Sequence, residues 1–168
     1  SEPLKAPFGF KGGYVDSLWN VVAKVESEEK YGIGLGLQSV LWSDANVFSS
    51  NTPEAGNKLM FEISKYAIEL IKGMSFNTPM DLMSEIFDKV YEYGKKITGN
   101  PDLRKTFALN ALVPVDNALW QLYGREKNTE NFLDLIDDEY KDALANKADK
   151  LCNIPLVTYN MTIDDVKK

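Results

Sequence analysis

The sequence of 168 residues contains no histidine and a single cysteine, Cys152. The absence of histidine excludes Ser-His and Cys-His nucleophile pairs, and the usual zinc ligand sets, from anything that this chain does alone. A single cysteine excludes a disulfide within the chain, which favours a reducing compartment, and we expect Cys152 to be a small buried apolar residue. Acid-base chemistry is left to Lys, Asp, Glu and Tyr. A cytoplasmic protein is the simplest expectation.

The sequence also lacks a long apolar run and a cluster of basic residues. No apolar run approaches the roughly 18 residues that a transmembrane helix needs, and the first residues do not follow the pattern of a signal peptide. The net charge is −6, and the lysines are scattered, whereas phosphate neutralisation requires clustered Lys and Arg. We therefore expect neither a membrane nor a nucleic-acid partner.

The first third of the chain has the alternating pattern of β-strands. Residues 1–16 are rich in Gly, Pro and aromatics and predict a loop. Residues 17–26 and 31–42 alternate, with a polar turn between them, and predict a β-hairpin whose second strand carries Ile33, Leu35 and Leu37 on one face. The glycines at 32, 34 and 36 lie on the opposite face and have two possible explanations, a bulged or edge strand or a close contact with another backbone. Because a lone hairpin is marginal, stability requires either a third strand from residues 1–16 or the helices.

The rest of the chain predicts helices. Thr52-Pro53 and Thr78-Pro79 are N-terminal start signals for the first two helices, and a third helical region opens at 100–102. Pro114 predicts a kink or break in that region, near Val113. Shorter helices are expected at 130–136 and 138–146, a strand at 154–159, and a new helix after Thr162. The predicted fold class is α+β: a small antiparallel β-meander or hairpin followed by a bundle of three or more helices.

Two segments carry a family resemblance. The pattern Tyr-Gly-Ile-Gly-Leu-Gly at 31–36 follows a charged turn, and the segment 106–125 reads TFALNALVPVDNALWQLYGR. Together they resemble the N-terminal capping domain of the enolase superfamily, in its mandelate racemase and muconate-lactonizing branch. The matching residues of the second segment are Val115, Asp116, Ala118, Leu119, Leu122, Gly124 and Arg125. The resemblance implies a capping domain at 1–150, and at 151–168 a linker with the first strand and helix of a (β/α) barrel that is absent.

The resemblance implies a parent enzyme that is an isomerase or lyase. Its reaction would be abstraction of the α-proton of a small carboxylate, giving an enediolate stabilised by Mg²⁺; racemisation or epimerisation, sugar-acid dehydration and cycloisomerisation all stay open. Metal ligands and acid-base groups lie on the barrel in that family, so no catalytic or metal-binding residue and no cofactor is assigned to this segment, which we expect to be inactive alone. The expected partners are the chain's own barrel and, because a lid without its barrel exposes apolar surface, further copies in a homo-oligomer.

The resemblance also implies a lid. In the family, two capping-domain loops close over the barrel mouth, and here they correspond to residues 5–16 and 43–51. The candidate substrate-binding residues are Phe8, Phe10, Lys11 and Tyr14 in the first loop, and Trp42, Asp44, Asn46 and Phe48 in or beside the second. Aromatic side chains with one lysine suit a carboxylate that has an apolar or sugar-like body. The alternative is a self-contained α+β protein-interaction module without catalysis, which would bind a protein or peptide through its helical face, in an exposed apolar groove.

Overall fold

The computed structural model describes residues 1–10, 13–145, 148–152, 157 and 161–167, with the side chain of Phe10 left out. Its sheet consists of β1 (Glu2–Phe10), β2 (Gly13–Ser27) and β3 (Lys30–Gln38) in the order β1-β2-β3. Both pairs of neighbouring strands are antiparallel. Helices follow the sheet, which confirms the predicted α+β class.

The prediction of a loop at residues 1–16 is wrong, because β1 occupies most of that segment. Pro3 and Pro7 are compatible with β1 since it lies at the edge of the sheet, where a missing N–H removes no ladder bond. The pairing register of β1 with β2 shifts between Pro3 and Phe8, as it does at a β-bulge. The sequence left open whether the hairpin is stabilised by a third strand from residues 1–16 or by the helices. The third strand is present.

Two helices begin where their capping residues predict. The Thr52 hydroxyl accepts a hydrogen bond from the Ala55 N–H, and the Thr78 hydroxyl accepts one from the Asp81 N–H, both at 3.2 Å. The predicted end of the second strand at Trp42 and the irregular loop after it are wrong, since short helices follow β3. The helices are α1 (Val40–Ser43), α2 (Ala45–Ser49), α3 (Pro53–Ile71), α4 (Pro79–Thr98), α5 (Lys105–Lys127), α6 (Asp138–Ala145) and α7 (Ile163–Lys167), with a 3₁₀ turn at Phe132–Asp134.

The core lies between the sheet and helices α3 and α5, and it continues between these two helices and α4. The inner face of β2 contributes Val21, Ala23 and Val25, as its alternation predicts. Each of the three long helices adds an apolar stripe at spacings of three and four residues. The fully buried members of these stripes include Met60, Ile63 and Ala67 of α3, Leu82, Ile86 and Val90 of α4, and Phe107, Ala111 and Val115 of α5.

The glycines of β3 mark a close backbone contact, and β3 is also an edge strand of the sheet, so both of the explanations that the sequence left open apply. A Cβ added at Gly34 would lie 2.9 Å from the carbonyl carbon of Asn117 and closer still to the Pro114 oxygen. Two residues of strand advance about 6.7 Å and four residues of helix about 6.0 Å, so the alternate glycines of β3 meet successive turns of α5. Ile33, Leu35 and Leu37 consequently face outward and are about half exposed.

Polar side chains of α5 also bind the free edge of β3. The Nδ2 of Asn117 donates to the carbonyl oxygen of Leu35 at 2.8 Å, and the Nη1 of Arg125 donates to that of Tyr31 at 2.6 Å. The Oε1 of Gln121 accepts from the Ile33 N–H at 2.7 Å. Residues 117, 121 and 125 are four apart, so they follow the same helix-to-strand match as the glycines. The helix thereby covers an edge that would otherwise be open to pairing.

Helix α5 runs through Pro114 without interruption, from Lys105 to Lys127, so the predicted break near this residue is wrong. Only one helical hydrogen bond is lost at a proline, that from its own missing N–H. The Pro114 ring lies over Gly36, where a Cβ would come within 2.8 Å of the Pro114 nitrogen. The ring therefore fills the space that the glycine leaves, and this packing offsets part of the cost.

The C-terminal region bears out one prediction and contradicts another. The Thr162 N–H donates to Oδ2 of Asp165 at 3.0 Å, and the Asp165 N–H donates to the Thr162 hydroxyl at 3.2 Å, so the predicted capping box opens α7. Cys152 is exposed, although burial was expected for it. The strand expected at 154–159 falls outside the described residues except for position 157.

Among the described residues, every helix is too short or too polar to cross a membrane.

Candidate functional site

The two segments predicted as lids meet at one end of the sheet. Gly13, at the start of β2, lies against the segment that forms α1 and α2. A Cβ added at Gly13 would lie 3.0 Å from Cε1 of Phe48 and 3.2 Å from Cδ1 of Leu41. The fold therefore places the β1–β2 end of the sheet and the α1–α2 segment in direct contact, although thirty residues of sequence separate them.

A small apolar cavity of about 250 Å³ opens between these segments. Its walls are Leu4, Phe8, Val15, Leu18, Ser39, Leu41 and Trp42. None of these side chains is titratable, and Ser39 contributes the only hydroxyl. The described walls can therefore contact an apolar group and exclude water from it, and among them there is no carboxyl, amine or phenol for acid-base chemistry.

The predicted site residues divide into those that border this cavity and those that do not. Phe8 and Trp42 line it, and Trp42 is 58% exposed. Phe48 is half-buried against Gly13, so it packs on its own domain. Tyr14 is 57% exposed on β2, and Asn46 is exposed on α2; neither lines the cavity. Phe48 thus packs within the fold, whereas a substrate contact by Phe8 or Trp42 stays a prediction.

Asp44 is buried and serves the fold. It is 1% exposed, and its Oδ1 accepts hydrogen bonds from the N–H groups of Asn46 and Val47 at 2.9 and 3.1 Å. Its Oδ2 accepts one from the Arg104 N–H at 3.0 Å, just before α5. Both carboxylate oxygens are therefore engaged by backbone donors, as in a helix N-cap. In this arrangement Asp44 holds α2 against α5 and is closed to a substrate.

Helix α5 anchors the α1–α2 segment at two further points. The Ser39 N–H donates to Oδ1 of Asn110 at 2.9 Å, and the Thr106 hydroxyl donates to the carbonyl oxygen of Ser43 at 2.7 Å. Hydrogen bonds of this kind fix the segment relative to the core. Trp42 thus stands on a short helix that is tied to a long one at both ends.

Two of the predicted site residues have no described side chain. Lys11 lies outside the described residues, and for Phe10 the backbone alone is described, as the last residue of β1. The suggested contact between Lys11 and a carboxylate therefore stays a prediction.

Sequence reasoning missed five of the residues that line the cavity: Leu4, Val15, Leu18, Ser39 and Leu41. The signal for Leu4 and Val15 was lost because residues 1–16 were interpreted as a loop, whereas strand pairing sets them on one surface. A strand interpretation of that segment would have predicted that alternate apolar residues share a face.

Among the titratable groups outside the cavity, Asp116 has a shifted pKa that bears on the segment of the family resemblance. Burial raises the pKa of Asp116 on α5, and a hydrogen bond with Trp120 lowers it by less. This residue belongs to the segment that carries the family resemblance, and none of the ion pairs among the described residues includes it. The described residues also contain no group of three or more His, Cys, Asp or Glu side chains that could hold a metal ion.

Comparison with protein-family models finds no match, and comparisons with curated proteins and with solved structures find none either. The interpretation of the site therefore rests on its geometry and on the resemblance of its sequence.

Proposed function

We propose that this chain is the capping domain of a magnesium-dependent enzyme of the enolase superfamily, in the mandelate racemase and muconate-lactonizing branch. One observation carries the proposal. The two segments that the resemblance identifies as lids are distant in sequence, yet Gly13 of the first contacts Phe48 of the second, beside an apolar cavity that Phe8 and Trp42 border. A lid requires this arrangement, because both segments must approach the same substrate.

In this proposal the parent enzyme, a cytoplasmic isomerase or lyase, removes the α-proton of a small carboxylate. The metal and the acid-base groups would belong to a barrel outside this sequence, and Mg²⁺ would supply the charge that stabilises an enediolate. The residues of this chain would exclude water and contact the body of the substrate, which strengthens electrostatic interactions in the closed site. Phe8 and Trp42, which border the cavity, would make that contact.

The first test is the reading frame downstream of Lys168. The proposal expects about 200 further residues of alternating strand and helix, with spaced acidic residues and a Lys-x-Lys motif, since (β/α) barrels have that pattern and size. A stop codon directly after Lys168 would favour the interaction module instead. The isolated chain should not catalyse α-proton exchange into D₂O with Mg²⁺ and a panel of carboxylates, as followed by NMR; metal-dependent exchange by the isolated chain would refute the lid assignment.

The second test concerns the lid residues in the full-length enzyme. Replacement of Trp42 by Ala should raise KM about tenfold for the best substrate, because one apolar contact is worth about 1–3 kcal/mol in discrimination. The matched control is Tyr140→Ala, which removes another exposed aromatic side chain, on α6 and away from the cavity. Equal kinetics for the Trp42 variant, the control and the wild type would contradict a lid role for this residue.

One observation favours the second candidate, a protein-interaction module without catalysis. The outer face of the sheet exposes Val22, Ile33, Leu35 and Leu37 next to one another on two paired strands. Contiguous apolar surface of this kind is typical of contact sites between proteins. Light scattering should show a homo-oligomer that Leu35→Lys converts to smaller species. A monodisperse wild-type monomer at high concentration would contradict the expected oligomer.

A further inference from the structure

The apolar cavity beside Trp42 has room for a hydrocarbon ring. Its volume is about 250 Å³, whereas an engineered apolar cavity of about 150 Å³ in another protein already binds benzene. Six of its seven described wall residues are apolar. A group of the size of a phenyl ring therefore fits between these walls and would contact carbon over most of its surface.

The side chains of the described walls offer few polar groups. Ser39 has a hydroxyl and Trp42 has an indole N–H, and the other five wall residues are Leu, Phe or Val. Ser39 is the N-cap residue of α1, but its side chain makes no capping hydrogen bond. Its backbone N–H donates to Oδ1 of Asn110. At most two polar side-chain groups of these walls can therefore contact a ligand.

The scarcity of polar groups discriminates between the two kinds of carboxylate body that the sequence leaves open. A sugar acid carries a hydroxyl on nearly every carbon, and each hydroxyl that leaves water without gaining a partner weakens binding by about tenfold or more. Two polar side-chain groups cannot match such a chain. A hydrocarbon body needs no hydrogen-bond partner and gains free energy from the apolar surface that it covers. The walls therefore favour a hydrocarbon body over a sugar-like one.

One wall of the cavity is fixed before any ligand binds. Leu41 is 3% exposed, and its Cδ1 would lie 3.2 Å from a Cβ added at Gly13. The short helix that carries Leu41 is held at both ends by α5, through Ser39 and Ser43. A preformed wall needs little ordering when a ligand binds. Its apolar side chain consequently remains part of the surface that a ligand meets.

We propose that this cavity binds the body of a carboxylate whose side group is a hydrocarbon of about the size of a phenyl ring. The identification of this ligand as a substrate rests on the function proposed above, whereas the preference for a hydrocarbon group depends on the cavity walls alone. The parent enzyme then acts on a carboxylate with an aryl, cycloalkyl or branched alkyl group. Of the reactions that the resemblance leaves open, dehydration of a sugar acid is the one that these walls disfavour.

The test is an NMR titration of the ¹⁵N-labelled chain with phenylacetate and, separately, with gluconate. Both probes carry one carboxylate, so the net charge of −6 acts on them equally. Phenylacetate should shift the indole N–H of Trp42 and the amide of Leu18, with a dissociation constant in the millimolar range, because a single ring covers little surface. Gluconate should bind at least about tenfold more weakly.

Three variants and one internal control keep the test specific. Val15→Trp and Leu4→Trp each place an indole in the cavity from a different strand, and either folded variant should lose the phenylacetate shifts. Ser39→Ala removes only the hydroxyl and should bind phenylacetate as the wild type does. The amide of Leu35, on the exposed outer face of the sheet, should not shift. Equal affinity for gluconate, retained binding in both Trp variants, or a shift at Leu35 as large as that at Leu18 would overturn the proposal.

The outcomes separate this preference from the proposed function. Magnesium-dependent exchange of the α-proton of gluconate, and not that of phenylacetate, by the full-length enzyme would support the enolase assignment and overturn the preference for a hydrocarbon group. Conversely, selective phenylacetate binding by a protein whose reading frame stops after Lys168 would support the cavity preference and refute the proposed function.

Discussion

Replacement of Gly34 by Ala tests the packing of α5 on β3. The new Cβ would lie 2.9 Å from the carbonyl carbon of Asn117 and nearer to the Pro114 oxygen and the Ala118 nitrogen. All three are backbone atoms of a helix, so no side-chain rotation can relieve the clash, and α5 must move away. Overpacking usually costs about 1–3 kcal/mol, and we expect the upper end or more here.

Movement of α5 would also lengthen the bonds that its side chains make to the edge of β3. The bond from Asn117 to Leu35 lies beside the new methyl group, and each such bond contributes about 1 kcal/mol. A total of about 3 kcal/mol corresponds to a fall of roughly 6–12 °C in Tm for a domain of this size. Urea denaturation gives the free energy of unfolding directly, and an unchanged m-value would confirm that the transition is comparable.

Gly73→Ala is the matched control for this substitution. No atom lies within 4 Å of the Cβ position there, but φ is +73°, so the variant should lose about 1 kcal/mol through backbone strain alone. A Gly34→Ala protein as stable as this control, or as the wild type, would refute the assignment of close backbone packing.

Three further predictions concern other contacts of α5 and of the α1–α2 segment. Asp44→Ala should lower the free energy of unfolding by about 2–4 kcal/mol in urea titrations, because it removes a helix cap and leaves three N–H donors without their acceptor; a loss below 1 kcal/mol would contradict this. Asn117→Ala should cost about 1 kcal/mol, as judged by urea denaturation, through the bond to Leu35. For Asp116, the pKa is raised in the folded state, so the wild type is most stable below the ordinary pKa of the carboxyl and loses stability as the pH rises through the folded pKa. Asp116→Asn should therefore have the higher Tm at pH 7, and a gain that persists undiminished at pH 3 would contradict the titration.

The sequence correctly predicts the elements that are determined by interactions between residues close to one another in the sequence. Thr52 and Thr78 cap their helices through hydrogen bonds within one turn, so their position in the sequence identifies the helix starts. The alternation of residues 17–26 likewise predicts the buried face of β2 correctly, because Val21, Ala23 and Val25 have only polar or exposed neighbours between them.

The wrong predictions arose where a distant element decides the outcome. Prolines and glycines at 1–16 predict a loop, but pairing with β2 makes that segment an edge strand, in which Pro3 and Pro7 are acceptable. Hydrophobicity alone would bury Ile33 and Leu35, yet the approach of α5 requires the glycine face to turn inward. The continuous helix through Pro114 depends on the same contact.

The predictions for the candidate site also depend partly on local sequence and partly on elements that are distant in sequence. The resemblance predicts two lid segments, and two of the candidate residues that it selects, Phe8 and Trp42, border an apolar cavity. It also selected Asp44, which lies in the second loop that the resemblance implies. The burial of this carboxylate against the Arg104 N–H depends on the docking of α2 beside α5, sixty residues later, which no local pattern contains.

The match between the spacing of β3 and that of α5 has a consequence for how this sequence can diverge. A single residue inserted into or deleted from β3 would exchange its two faces, so bulky side chains would replace the glycines along every following helical turn. The same change in α5 would rotate the helix by about 100° and carry Asn117, Gln121 and Arg125 away from the strand. Homologous proteins should therefore vary in the loops around these two elements, while the lengths of the elements themselves stay constant.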